Sequence, residues 1–338
     1  MHSRKQDILK AVVREFTVTA MPVASQALVS RHFLNLSSAT VRSELSGLVD
    51  LGYLIQPHTS AGRIPTDRGY RYFVDFLMEA EPAPPALEAY IEAEFRSTPP
   101  DPQRLVEKVA TIAATVTGNA SVVTGPQGGL VRVKHLDLVS LEPEDVLVVL
   151  VAEGNLIRQQ VVRVSTPIRQ QELTRLSTRF NRELAGRDRD ELELRLNRLG
   201  QGVEKELLGS LVEALSLVES RGGGMVVHDG VRNLLKQPEF AESSRLHEVL
   251  EVLEETRYLV ALLQELAANA DLQIVIGSEN RTEQLRSCAV VLTTWGPSRR
   301  VQGVLGVVGP TRLDYGATVG RLQAIARQAG ARLAEAYA

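Results

Sequence analysis

The chain has 338 residues, 44% of them hydrophobic and 23% charged, with a formal net charge of -3 at pH 7. That length predicts two or three domains, each able to bury its own core, and the composition excludes fibrous and low-complexity classes. Cys288 is the one cysteine, which excludes an intramolecular disulfide and a Cys-based zinc cluster and fits a reducing cytoplasm. No window approaches 18 uncharged apolar residues, so neither a membrane span nor a membrane partner is expected, and the amphipathic start is no signal peptide. Charge is slightly uneven: residues 1–80 carry nine Lys+Arg and seven Asp+Glu, which permits a polyanion site near the N-terminus.

Ile8, Leu9, Val12, Val13 and Phe16 recur at helical spacing and predict a helix over about 4–16. Pro22 breaks the pattern. Ser25 is the expected N-cap of a second helix carrying Leu28, Val29 and Phe33. After a short turn, Ser37 or Ser38 caps a third helix running to Leu51, with Gly52 as its C-terminal glycine. Three short helices with a tight turn between the second and third make a helix-turn-helix. "YLIQPHTSAGRIPT" then reads as strand, loop and strand, a wing whose tip is "HTSAG". "DRGYRYFVDFLM" predicts a helix that turns Tyr70, Phe73, Val74 and Leu77 onto this unit.

Three prolines within 79–89 indicate a linker, followed by a helix at about 102–117. "LVRVKHLDLVSL", "DVLVVLVA" and "LIRQQVVRV" read as strands, with a hairpin turn at Glu153-Gly154-Asn155. Residues 170–219 are helical in pattern, "GGGMVVHDG" supplies a glycine break and a short strand, and 231–269 are helical again. "LQIVIGSEN", "AVVLTTWG" and "VQGVLGVVG" return to strands before a last helix from about Tyr315. This order predicts one α+β sheet holding both strand sets, with the helical block as a dimerising insertion.

Two surfaces compete for chemistry. Ser60, His58 and Asp67 have the side chains of a hydrolytic triad, yet they lie on a loop tip with no nucleophile elbow. Gly222–Gly224 precede a strand rather than follow one and lack the GK[ST] of a phosphate loop. Six scattered histidines form no HxxxH pair, so no catalytic residue, cofactor or metal is expected. A DNA surface meets its geometric demands better. At 100° per residue Val41, Leu45 and Leu48 form the buried stripe of the third helix. The opposite face carries Ala39, Thr40, Ser43, Ser46 and Gly47, with Arg42 on its flank, small and hydroxyl-rich enough to approach a major-groove floor. Ser37 and Ser38 at the helix start suit a phosphate, and His58, Thr59, Ser60 and Arg63 furnish the wing with donors. Arg68 and Arg71 add positive charge behind it.

"LSSATVRSELSGLVDLGYLIQPHTSAGRIPTDRGYRYFVD", with "VRNLLKQPEF", "IGSEN", "LRSCAVV" and "GVLGVVGPTRLDY" further on, resembles the heat-inducible transcription repressor HrcA family across nearly the whole chain. The resemblance implies a winged helix-turn-helix over 1–78, a linker over 79–100, and a GAF-like domain over 101–188 and 270–338. An inserted dimerisation domain is expected at 189–269. It also implies a homodimer on an inverted-repeat CIRCE-type operator in double-stranded DNA, the chaperonin GroEL as partner, and release of chaperone operons on heat stress. The rival expectation is a small effector that controls DNA binding from the GAF-like domain. Two departures stand out: "TAMPVAS" where the family has "TGEPVGS", and Ser43 where it has Asn, a residue that can read adenine bidentately.

Overall fold

The computed structural model describes all residues except 1, 34, 60, 100, 127–131, 153–155, 223–224, 242, 255–270, 299–300 and 337–338. Helices α1 (Ser3–Thr19), α2 (Ser25–Arg31) and α3 (Ser38–Asp50) open the chain. Ile8, Leu9, Val12 and Val13 of α1, Leu28 of α2, and Val41, Leu45 and Leu48 of α3 are buried together, as their helical spacing dictates. Strands β1 (Leu54–Ile55) and β2 (Ile64–Pro65) pair antiparallel, and Val23 bridges Arg63 to add the α1–α2 connection to the same ribbon. Gly62 permits that approach, because a Cβ there would sit 2.5 Å from the Val23 carbonyl carbon. Next comes α4 (Asp67–Tyr72), which runs into a π turn over Phe73–Leu77 and buries Tyr70 and Phe73.

The caps differ from expectation at one helix. Ser37 caps α3 by accepting from the Thr40 N–H at 3.0 Å, but Ala24, not Ser25, occupies the cap of α2 and offers no side-chain acceptor. The Ser25 hydroxyl instead meets that of Ser38 at 3.3 Å, joining α2 to α3. At the end of α1, Ala20 adopts φ 53°, the one positive-φ non-glycine among the described residues. The left-handed region costs a residue with a Cβ about 1–2 kcal/mol, and glycine returns part of that gain as unfolded-chain entropy. Ala20→Gly should therefore stabilise the protein by about 0.5–1 kcal/mol, read as a higher urea midpoint; a lower midpoint would contradict this.

The expected linker is shorter than 79–100, because α5 (Pro85–Arg96) starts within it. Pro85 takes the first helical position, where a missing N–H costs nothing, and Ile91 and Phe95 supply a buried face. Helix α6 (Pro102–Thr117) is capped by Asp101 and closed by Gly118 at φ 65°. Then follow β3 (Ala120–Thr124), β4 (Val133–Ser140), β5 (Asp145–Ala152), β6 (Leu156–Arg163), α7 (Gln170–Leu184), α8 (Arg189–Leu196) and α9 (Val203–Gly222). The chain ends through β7 (Val226–Asp229), α10 (Val231–Leu234), α11 (Ser243–Glu254), β8 (Leu272–Ile276), β9 (Cys288–Ser298), β10 (Val301–Pro310) and α12 (Tyr315–Ala336).

The α+β class holds, but the single-sheet expectation does not. Strands β7-β3-β10-β9-β8, in that order, form one antiparallel sheet, and β4-β5-β6 form another with its own core. Val146, Val148 and Leu150 of β5 face Leu173, Phe180, Leu192, Leu207 and Leu211 of α7, α8 and α9. The other face of β5, Leu147, Val149 and Val151, is also apolar, so the run mimics a strand buried on both sides. A boundary at 188/189 would cut between α7 and α8, inside this core; the self-contained unit spans about 133–222. The five-stranded sheet packs α6 and α12 on one face, and Leu234, Phe240, Val249 and Val252 on the other. Cys288 lies in that second core, where burial pushes its thiol up to about 12. The Glu153–Asn155 turn and residues 255–269 of the predicted helix over 231–269 lie outside the described residues, and its described part is divided between α10 and α11 by a 3-10 turn at Pro238–Phe240.

Candidate nucleic-acid interface

Helix α3 presents Ser37, Ala39, Arg42, Ser43 and Ser46 to solvent, with Ser38 and Thr40 half-buried at its N-terminal end. Ser37 is held by Thr40, whose hydroxyl lies 2.8 Å from its own, and Ser46 donates to the Arg42 carbonyl at 3.1 Å. Gly47 does not share this face. A Cβ there would lie 3.0 Å from Lys5 Cε on α1, and Lys5 in turn pairs with Glu44 at 2.7 Å. The acidic side chain of α3 nearest the stripe is thereby neutralised from behind.

Between α3 and the hairpin lies a groove of about 360 Å³ lined by Val23, Ser25, Arg42, Gln56, Thr59 and Arg63 among others. No carboxylate lines it, and none pairs with Arg42 or Arg63 among the described residues. Gln56 shapes the tip: its amide donates to the Thr59 carbonyl at 2.7 Å and to that of Ala61 at 3.1 Å. Sequence reasoning passed over Gln56, although it is the polar residue that ends an otherwise apolar strand. His58 and Thr59 are exposed at the tip, and Ser60 lies outside the described residues. Arg63 donates to the Ala61 carbonyl at 3.3 Å, while its buried Nε has no partner. Two guanidinium groups and a run of hydroxyls, with no competing carboxylate, form a surface suited to a polyanion.

The residues behind the hairpin divide. Arg68 stacks its guanidinium 4.9 Å from the Tyr53 ring centroid and stays exposed, so its charge remains available. Arg71 does not, contrary to expectation: it donates to both Glu279 oxygens, to the Ile274 carbonyl at 2.7 Å and to Asp75 at 3.2 Å. Nor does Asp67 serve His58, since its carboxylate accepts from the Ser278 N–H at 2.8 Å. The apparent triad therefore has no orienting acid.

Residues 103–319 match the family model described as the HrcA protein C-terminal domain. The heat-inducible transcription repressor HrcA of Roseiflexus castenholzii is 36% identical over 99% of this chain and 95% of its own length. Those of Chloroflexus aurantiacus and Thermobifida fusca are each 35% identical, over 94% and 97% of their lengths. A crystal structure of a hypothetical protein at 2.2 Å resolution shares the fold, with a TM-score of 0.64 at 21% identity over 99% of both chains. No helix among the described residues is long and apolar enough to cross a membrane. The chain belongs to the HrcA family of heat-inducible transcription repressors.

Proposed function

We propose that the chain represses heat-shock chaperone operons by binding an inverted-repeat, CIRCE-type operator as a homodimer, and that it has no catalytic activity. Residues 1–78 act as a winged helix-turn-helix, with α3 in the major groove and the hairpin against the backbone or minor groove. The observation that carries this reading is the carboxylate-free groove between α3 and the hairpin, flanked by Arg42 and Arg63. The five-stranded sheet is the GAF-like domain, and the chaperonin GroEL is the partner whose loss to unfolded clients on heating lowers repression. A small effector is the weaker reading, since Phe240, Val249 and Val252 fill one face of that sheet and α6 and α12 fill the other.

For the dimer, the outer face of β4-β5-β6 is the stronger support. Ile157 is 65% exposed and Val161 58%, beside the half-buried Leu147 and Val149. Such a face on one isologous patch suits a two-fold assembly, and two-fold symmetry matches an inverted repeat. The dimerising insertion is then 133–222 rather than 189–269. Substituting Ile157→Asp together with Val161→Asp should give a monomer in sedimentation that binds operator weakly. A persisting dimer would move the interface elsewhere. The function itself is tested by footprinting the chain on chaperone promoters of its host, with and without chaperonin. Protection of two half-sites that weakens steeply with salt is expected, and no protection would overturn the reading.

A further inference from the structure

The DNA-binding unit is joined to the five-stranded sheet by a seam of polar contacts. Asp67 opens α4 and accepts from the Ser278 N–H at 2.8 Å, and Gly277, at φ 53°, comes so near that a Cβ would lie 2.3 Å from that carboxylate. One turn on, Arg71 grips Glu279 and the Ile274 carbonyl of the edge strand β8, and Glu279 also accepts from the Ile276 N–H at 2.9 Å. Arg312, from the other side, donates to the Thr17 carbonyl of α1 at 3.0 Å and to Gln237 at 2.6 Å, and pairs with Glu239. The Tyr70 and Tyr315 rings meet 5.9 Å apart. "TDRGYRY", "QPEF", "IGSEN" and "GPTRLDY" therefore converge on this seam, away from the groove that faces DNA.

Helix α4 is fixed to the reading head as well. Thr66 donates its N–H to the Tyr53 carbonyl at 3.1 Å and its hydroxyl to the Gly52 carbonyl at 2.7 Å, so the hairpin and the end of α3 move with α4. A link from α3 through α4 to the sheet makes the seam a determinant of where α3 points, beside the apolar core in which Tyr70 and Phe73 meet Leu313 and Tyr315.

We infer that Asp67, Arg71 and Arg312 are positioning residues: they fix the angle of α3 against the sheet, so that in the dimer the seam sets which half-site spacing the repressor accepts. This rests on the proposed DNA-binding reading of α3. Releasing the seam lets each reading head swing on the connection ahead of Glu81, whose N–H is held by the Gly316 carbonyl at 3.2 Å, and contacts within one half-site are left intact.

The test uses the full-length chain and operator duplexes with the natural spacer or one changed by about five base pairs, half a helical turn. The wild-type chain should prefer the natural spacing by at least about tenfold, a coupling of ordinary size for two linked sites. Arg71→Glu should lose most of that preference, bind a single half-site as the wild type does, and remain a dimer in sedimentation. Combining Arg71→Glu with Glu279→Arg should restore the preference, which a merely structural role would not predict. If Arg71→Glu fails to fold, Arg71→Lys and Glu279→Gln give the same comparison, with a smaller loss. A folded, dimeric seam variant that keeps the wild-type spacing preference overturns the inference. Failure of the wild-type chain to bind any duplex overturns instead the DNA-binding reading beneath it.

Discussion

Replacing Arg42 with alanine should weaken operator binding by about five- to 150-fold, corresponding to the roughly 1–3 kcal/mol of one good guanidinium contact to a base or phosphate. The fold should barely notice. Arg42 is exposed, has no carboxylate partner among the described residues, and stands on the flank of the helix, outside the buried Val41–Leu45–Leu48 stripe. Any loss of affinity is then a loss at the interface. The replacement also separates two modes of contact. A phosphate contact is a point charge, so Arg42→Lys would retain most affinity and Arg42→Ala would lower the salt slope by about one. Bidentate reading of guanine depends on the planar fork, and lysine would fail there while affinity for other sequences changed little. A gel-shift titration on native and mutated operator duplexes distinguishes the two. Unchanged affinity for Arg42→Ala removes this residue from the interface.

Much of the N-terminal helical unit was legible in the sequence because its signals are local. Val41, Leu45 and Leu48 declare their face by spacing alone, Ser37 caps the helix it precedes, and Gly52 takes the positive φ of 75° that its place after α3 suggests. Contacts made across hundreds of residues were not legible. Arg71 looks like any surface arginine on an amphipathic helix; only the folded chain brings Glu279 and the Ile274 carbonyl to it. Gly47 was misread for the same reason, its neighbour Lys5 lying on α1, and nothing in the sequence tied Asp67 to Ser278. The two-sheet division escaped because β5 is apolar on both faces, a pattern that a strand buried between two layers and a strand at an oligomer surface share. Strand pairing decided the matter, and single-sequence periodicity carries no information on pairing.

Gly69→Ala should be the most damaging small substitution in the N-terminal unit proposed to bind DNA. Intrinsic propensity argues the other way, since alanine is favoured over glycine inside a helix by about 1 kcal/mol. Packing overrides it. A Cβ on Gly69 would fall 2.1 Å from the Tyr53 carbonyl oxygen, and both partners are main chain, so no rotamer relieves the overlap. Relief requires α4 to draw back from the hairpin, which breaks the bonds from Thr66 to Gly52 and Tyr53 and separates Arg68 from the Tyr53 ring. Overpacking of this kind against rigid backbone costs about 3 kcal/mol or more. The hairpin then loses its foundation, so operator binding should fall along with the urea midpoint. Gly200→Ala is the matched control: open space surrounds it, its φ is not positive, and a change within about 0.5 kcal/mol is expected. If Gly69→Ala proves as stable as that control, α4 does not sit against the Tyr53 carbonyl, and the rigid path from α3 to the sheet fails with it.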